Sequence, residues 1–168
     1  MEKQVAVLID GDNISAKYAE SIKQEALQYG NIKVFRLYGS VNSPNTKKWY
    51  PVMPRQGIMP VLQISYASGK SIADQALTID AMDLLYKGNL DGFCLVSSDS
   101  DFTSLAVRLR EAGKEVIGMG EMKTPKAFVS ACTNFKRLDL LDRDYNSDEG
   151  EDYKGADSDE AELTSLRD

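Results

Sequence analysis

Three distant stretches of this sequence carry side chains able to do chemistry. "VLIDGDN" (7–13) interrupts an apolar run with Asp10, Asp12 and Asn13. "SGKSIAD" (68–74) ends on Asp74, and "LVSSDSDF" (95–102) supplies Ser97, Ser98, Asp99 and Asp101. Each residue taken alone has an ordinary structural use. Asp12 or Asn13 can cap a following helix, Ser100 or Asp101 can cap another, and Asp74 sits where a helix N-terminus favours negative charge. Asp10, Asp74, Asp99 and Asp101 as a set demand more. Carboxylates drawn into one place repel, and one is driven to protonate unless positive charge lies between them. Oxygen-only donors suit a hard divalent cation, Mg2+ or Mn2+. The chain has no histidine, so Ser-His-Asp triads, histidine general acids and His-ligated zinc are excluded. Any hydrolase here works with carboxylates and hard cations.

The elements that must position these acids alternate strand and helix, the pattern of an α/β three-layer sandwich with a mainly parallel sheet. Strands are expected at 5–10, 32–39, 59–66, 92–98 and 114–120, with a short last one in 136–141. Helices are expected near 14–28, 71–87, 102–112 and 124–134, with a shorter one at 45–54 around Trp49. Gly30, Gly88 and Gly113 follow three of the helices, where a left-handed residue is favoured. Right-handed crossovers bring all the strand C-termini to one edge, where open parallel sheets bind ligands near the reversal of strand order. Asp10, Asp12 and Asn13 follow the first strand, and Ser97 to Asp101 follow the fourth. Asp74 falls in the first turn of the helix beginning near Ser71, at the same edge. Asp80 shares a helical face with Ala73, Leu77, Ala81 and Leu84, so its carboxylate needs a partner. It either orients a ligand or a basic residue, or is a buried structural acid. "SGKSIAD" is not a phosphate loop, because Ile64 stands where the pattern needs glycine. Lys70 and Ser71 are still placed to touch a phosphate. "GMGE" (118–121) is too short for a dinucleotide fingerprint.

The length of 168 residues fits one domain. The net charge of -6 is unevenly spread. Residues 139–168 hold twelve acidic and three basic side chains, whereas residues 1–138 hold fourteen and seventeen, a net of +3. The expected organisation is a folded domain over 1–141 and an acidic, disordered tail over 142–168. Such a tail either solubilises or mimics nucleic acid by competing for the protein's own basic surface. No apolar run nears the roughly 18 residues of a membrane span, and "MEKQVAVLID" lacks signal-peptide features. Cys94 and Cys132 are too far apart for a zinc spacing or a disulfide framework, and their apolar neighbours suit buried packing. A cytoplasmic location is expected, with no membrane partner.

"LIDGDN", "GKSIADQALTID" and "LVSSDSDF", in this order and on these element types, closely resemble the NYN domain. That is the branch of the PIN-like nuclease superfamily that includes the LabA-like bacterial proteins. The resemblance covers about residues 4–140. It implies a Rossmann-like, PIN-like sandwich with acids clustered at the C-terminal edge of its sheet, and metal-dependent cleavage of RNA. By position, Asp10, Asp74, Asp99 and Asp101 would be the catalytic and metal-binding acids, with Mg2+ or Mn2+ as cofactor. Asn13 and Ser97 or Ser98 would hold loops or touch substrate, and Asp12 and Asp80 would support the site. Single-stranded RNA would be steered by Lys17, Lys47, Lys48, Arg55, Lys70 and Lys123, beside Ser71. Tyr38, Trp49, Tyr50 and Tyr66 are candidate surfaces for stacking bases. A net +3 predicts weak, salt-sensitive binding. Two other readings stay open. One is a haloacid-dehalogenase-type phosphatase with Asp10 as nucleophile, although helical periodicity resuming after Asn13 leaves no room for that family's flap. The other is an RNA- or protein-binding module that keeps the acidic pocket without turnover. A homo-oligomer is equally open.

Overall fold

The structure, a computed structural model, describes residues 2–64 and 72–142. Its centre is a six-stranded sheet of β1 (Gln4–Asp10), β2 (Asn31–Ser40), β3 (Met59–Gln63), β4 (Gly92–Val96), β5 (Glu115–Gly120) and β6 (Asn134–Arg137). The order is β3-β2-β1-β4-β5-β6, and every neighbouring pair is parallel. The helices are α1 (Ala19–Leu27), α2 (Pro44–Lys47), α3 (Met53–Gln56), α4 (Ile72–Lys87), α5 (Thr103–Glu111) and α6 (Lys126–Ala131).

Helices cover both faces, which is why the central strands are apolar throughout rather than alternating with polar residues. Ala6, Leu8, Phe93, Leu95 and Val116 join Leu77 and Ala81 of α4, Leu105 and Leu109 of α5 and Phe128 of α6 in one core. Val7, Ile9, Cys94, Val96, Ile117 and Met119 point the other way, onto Ile22 and Ala26 of α1 and onto Trp49 and Met53. This is the expected α/β sandwich with a Rossmann-like strand order. Its reversal point lies between β1 and β4. Asp10 and the residues after Val96 therefore meet where ligands of such sheets bind.

Local departures have local causes. The fourth strand stops at Val96 rather than residue 98. Ser97 N–H still reaches Met119 O at 2.9 Å, but the Ser97 hydroxyl then takes the Asp99 N–H at 3.0 Å and turns the chain. The last strand runs over Asn134–Arg137, not 136–141, because Thr133 N–H already pairs with Val116 O. After it the chain coils into a helical turn that buries Leu138. The helix expected around Trp49 is two short ones, as Pro51 between them has no N–H to continue the first. The first helix opens as a 3-10 turn, Ala16–Tyr18. Positive φ occurs at Gly57, Gly88 and Gly113 but not at Gly30. Gly30 is needed for closeness instead: a Cβ there would lie 2.4 Å from the Lys3 carbonyl oxygen. The third strand ends at Gln63, and residues 65 and 66 of the expected strand lie outside the described residues, as does the tail beyond Asp142. Among the described residues no helix is long and apolar enough to cross a membrane. Cys94 and Cys132 are separate buried thiols.

Candidate functional site

β1 ends on Asp10, whose side chain is buried at 1% exposure. Gly11 then lets the chain pass close to β2; its N–H donates to Tyr38 O at 2.7 Å, and a Cβ would strike Leu37 Cδ2 at 2.7 Å. One oxygen of Asp10, Oδ2, accepts from Asn13 Nδ2 (2.9 Å) and from Ser97 Oγ (2.8 Å). The other, Oδ1, is buried with no hydrogen-bond partner among the described residues. Burial drives the Asp10 carboxyl above the ordinary carboxylate range. The Asn13 and Ser97 bonds work against this, and the charges of Asp12 and Asp99 add to it.

Ser97 couples the two segments, since its hydroxyl donates to Asp10 and accepts from Asp99 N–H. Asp99 Oδ1 accepts the Asp101 N–H at 2.9 Å and caps the turn Ser100–Phe102 that leads into α5. The cap is therefore Asp99, not Ser100 or Asp101. Asp74, in the first turn of α4, comes in from the crossover between β3 and β4 and is 8% exposed. One carboxylate oxygen from each of Asp74, Asp99 and Asp101 lies within 4.8 Å of the others. Asp10 is not one of this trio and is linked to it through Ser97. The donors fit a hard cation. They are all oxygens, they are mutually repulsive when empty, and one further buried oxygen has no proton donor.

Asp12 is occupied elsewhere. Its Oδ1 accepts from Ser40 N–H (2.9 Å) and Thr46 Oγ1 (2.7 Å), and its Oδ2 from Ser40 Oγ (3.2 Å). It pins the end of β2 and caps no helix; Ser15 caps the first turn, through Lys17 N–H. With both oxygens engaged, Asp12 is poorly placed for the acid–base role that a phosphatase DxD loop requires. Ser98 Oγ accepts from Glu121 N–H at 2.9 Å and ties β4 to β5. Asp80 is half-buried rather than buried, and it engages a basic residue, the first of its two expected roles. Tyr38 OH donates to it at 2.7 Å and Arg36 Nη1 at 3.2 Å, clamping α4 to β2. Burial, then the Asp80 bond, pushes the Tyr38 phenol up. Tyr38 and Trp49 are fully buried and cannot stack on bases; Trp49 Nε1 donates to Ile14 O at 2.8 Å. Tyr50 is partly exposed. Lys17, Lys47, Lys48 and Lys123 are exposed in the segments that follow β1, β2 and β5, all at the acidic edge. Lys70, Ser71 and Tyr66 lie outside the described residues.

Two residues that the sequence reading passed over organise this edge. Asn45 Nδ2 donates to Gly11 O (2.7 Å) and Ile14 O (2.8 Å), and Thr46 holds Asp12. The signal was positional: both follow β2 at the same edge, after Ser43-Pro44, a helix-start pair. Gly120, at the end of β5, is equally constrained. A Cβ there would lie 2.6 Å from Thr124 Oγ1, 2.7 Å from Ser97 O and 3.0 Å from Ser98 Oγ. Gly120→Ala is expected to cost about 1–3 kcal/mol in urea denaturation and, by displacing Ser97, to disturb Asp10 and Asp99 together.

The NYN domain family matches residues 4–139. An uncharacterized protein of Methanocaldococcus jannaschii is 28% identical over 123 residues, a stretch amounting to 71% of this chain and 48% of that protein. This chain thus spans about half the length of that curated relative. A protein of unknown function from Vibrio parahaemolyticus, known from its crystal structure, matches at TM-score 0.66 and 20% identity over 83% of this chain and 95% of that one. That likeness is one of fold. The family match begins with β1 and continues past β6, taking in all four acids, so the chain belongs to the NYN domain family, within the PIN-like nuclease superfamily.

Proposed function

We propose that this domain is a metal-dependent endoribonuclease of the LabA-like kind, acting on single-stranded RNA. The observation that carries this reading is the convergence of Asp74, Asp99 and Asp101 within 4.8 Å, next to the buried Asp10. Asp74, Asp99 and Asp101 would hold Mg2+ or Mn2+. Asp10 presents its unpartnered Oδ1 as a further acceptor, while Asn13 and Ser97 keep its other oxygen fixed. When bound, the cation supplies the Lewis acidity that phosphodiester hydrolysis needs, for water activation and for charge on phosphorus. The rest is positioning. Ser97 sets the distance between Asp10 and the Asp99 loop, Asp80 fixes the helix that carries Asp74, and Asp12 anchors the chain after β2 through Ser40 and Thr46. Exposed Lys47, Lys48, Lys17 and Lys123 surround the edge and can attract a phosphate backbone; Lys70 and Ser71 belong with them by sequence.

The test is incubation of the purified protein with single-stranded RNA and Mn2+ or Mg2+, with and without EDTA. Cutting is expected only with metal, and an Asp10→Asn/Asp99→Asn double variant should lose it while keeping its circular dichroism. RNA retained but uncut under every divalent ion would favour a binding module of the same fold.

A further inference from the structure

In a parallel sheet the last strand ends on the same edge as the first, so β6 delivers the chain to the edge holding Asp10 and Asp99. Leu138 is buried and Leu141 packs against the core on the α1 side, which places the exit at Asp142 on that side. Lys17, exposed in the turn after β1, is close enough for its charge to act on the Asp142 carboxyl. Lys47 and Lys48 are exposed at the end of α2, which Asn45 ties to the loop after β1 through Gly11 O and Ile14 O. The sequence beyond Asp142, "RDYNSDEGEDYKGADSDEAELTSLRD", holds ten acidic and three basic residues in 26, a net of -7.

We propose that this acidic segment, 143–168, docks in cis on Lys17, Lys47 and Lys48 and competes there with RNA. The proposal rests on RNA being the ligand of this edge. Three observations favour this occupant. The charges are complementary, a net -7 against exposed lysines on a body, residues 1–142, of net +1. Asp142, the last described residue, lies near Lys17 rather than on the far side of the sheet. Reach is ample, as an extended chain spans about 3.3–3.6 Å per residue and a domain of this size is only roughly 35–40 Å across. Tethering makes even weak pairing effective, because a short flexible connection corresponds to a local concentration of about millimolar. Pairing between exposed charges is screened by salt, so the competition should fade as ionic strength rises.

The experiment uses the full chain. Carbodiimide coupling at low salt, followed by peptide mapping, should join Lys17, Lys47 or Lys48 to carboxylates of 143–168, and high salt should abolish those links. A full-length variant carrying Asp148→Asn, Glu149→Gln, Glu151→Gln and Asp152→Asn should bind single-stranded RNA about tenfold more tightly in EDTA at low salt. The gap should close at high salt. An absence of links to these lysines overturns the docking. Links together with unchanged RNA affinity overturn the competition. Links in a protein that binds no RNA in either form support the docking and refute the RNA reading on which the competition depends.

Discussion

Asp99→Asn should lower metal-dependent RNA cleavage by about 10³-fold, close to 4 kcal/mol of barrier, while leaving the fold intact. The substitution separates the two duties of this residue. As a cap, Asp99 accepts the Asp101 N–H through Oδ1, and an amide oxygen can accept that bond equally well. As a member of the acidic trio it contributes one of three oxygens within 4.8 Å of one another, and there the amide removes a full negative charge. Loss of one anionic ligand weakens both the affinity for the cation and the charge stabilisation it gives at phosphorus. Thermal unfolding without metal should therefore match the parent protein, or exceed it slightly because repulsion is relieved. The rise in Tm on adding Mn2+ should shrink or vanish. Single-turnover cleavage and a Mn2+-dependent thermal-shift titration measure the two halves. Parent-like cutting by the variant would remove the trio from the mechanism.

The acidic edge was legible in the sequence because it follows from strand direction and crossover handedness alone. Asp10 and Asp99 follow strands, Asp74 opens a helix, and a parallel sheet leaves them one edge to share. Burial of both sheet faces produced the continuous apolar runs from which the central strands were read. What failed depended on contacts distant in sequence. Asp12 was a plausible cap until Ser40 and Thr46, on another strand and another helix, took both its oxygens. Tyr38 and Trp49 suited stacking only if their rings reached solvent, and both are fully buried, with Asp80 and Ile14 O bonding their polar ends. The turn after the last strand does leave a signal in the sequence. Leu138 and Leu141 are three apart, a helical spacing, and both turn toward the α1 side of the core.

Asp10→Asn should make the metal-free protein more stable at neutral pH, by about 1–2 kcal/mol, and abolish its stabilisation by metal. Burial raises the Asp10 pKa above the value of 3.8 it has when exposed. The folded state thus holds the proton more tightly than the unfolded chain does. The stability this contributes is fully present below the unfolded pKa and is lost as pH rises through the raised folded pKa. Ionising Asp10 in the metal-free protein therefore leaves a buried anion with one oxygen unpartnered among the described residues. An asparagine in its place keeps an acceptor for Asn13 and Ser97. It also offers an N–H2 toward a neighbourhood rich in carboxylate oxygens. Urea denaturation in EDTA across the acid-to-neutral range is the measurement. The parent should lose stability relative to Asp10→Asn as pH rises, and saturating Mn2+ should reverse the ranking, because a cation replaces the proton at this edge. A variant less stable than the parent in EDTA at every pH would mean that Asp10 is held as an anion by the fold itself, and its burial would then have nothing to do with a metal.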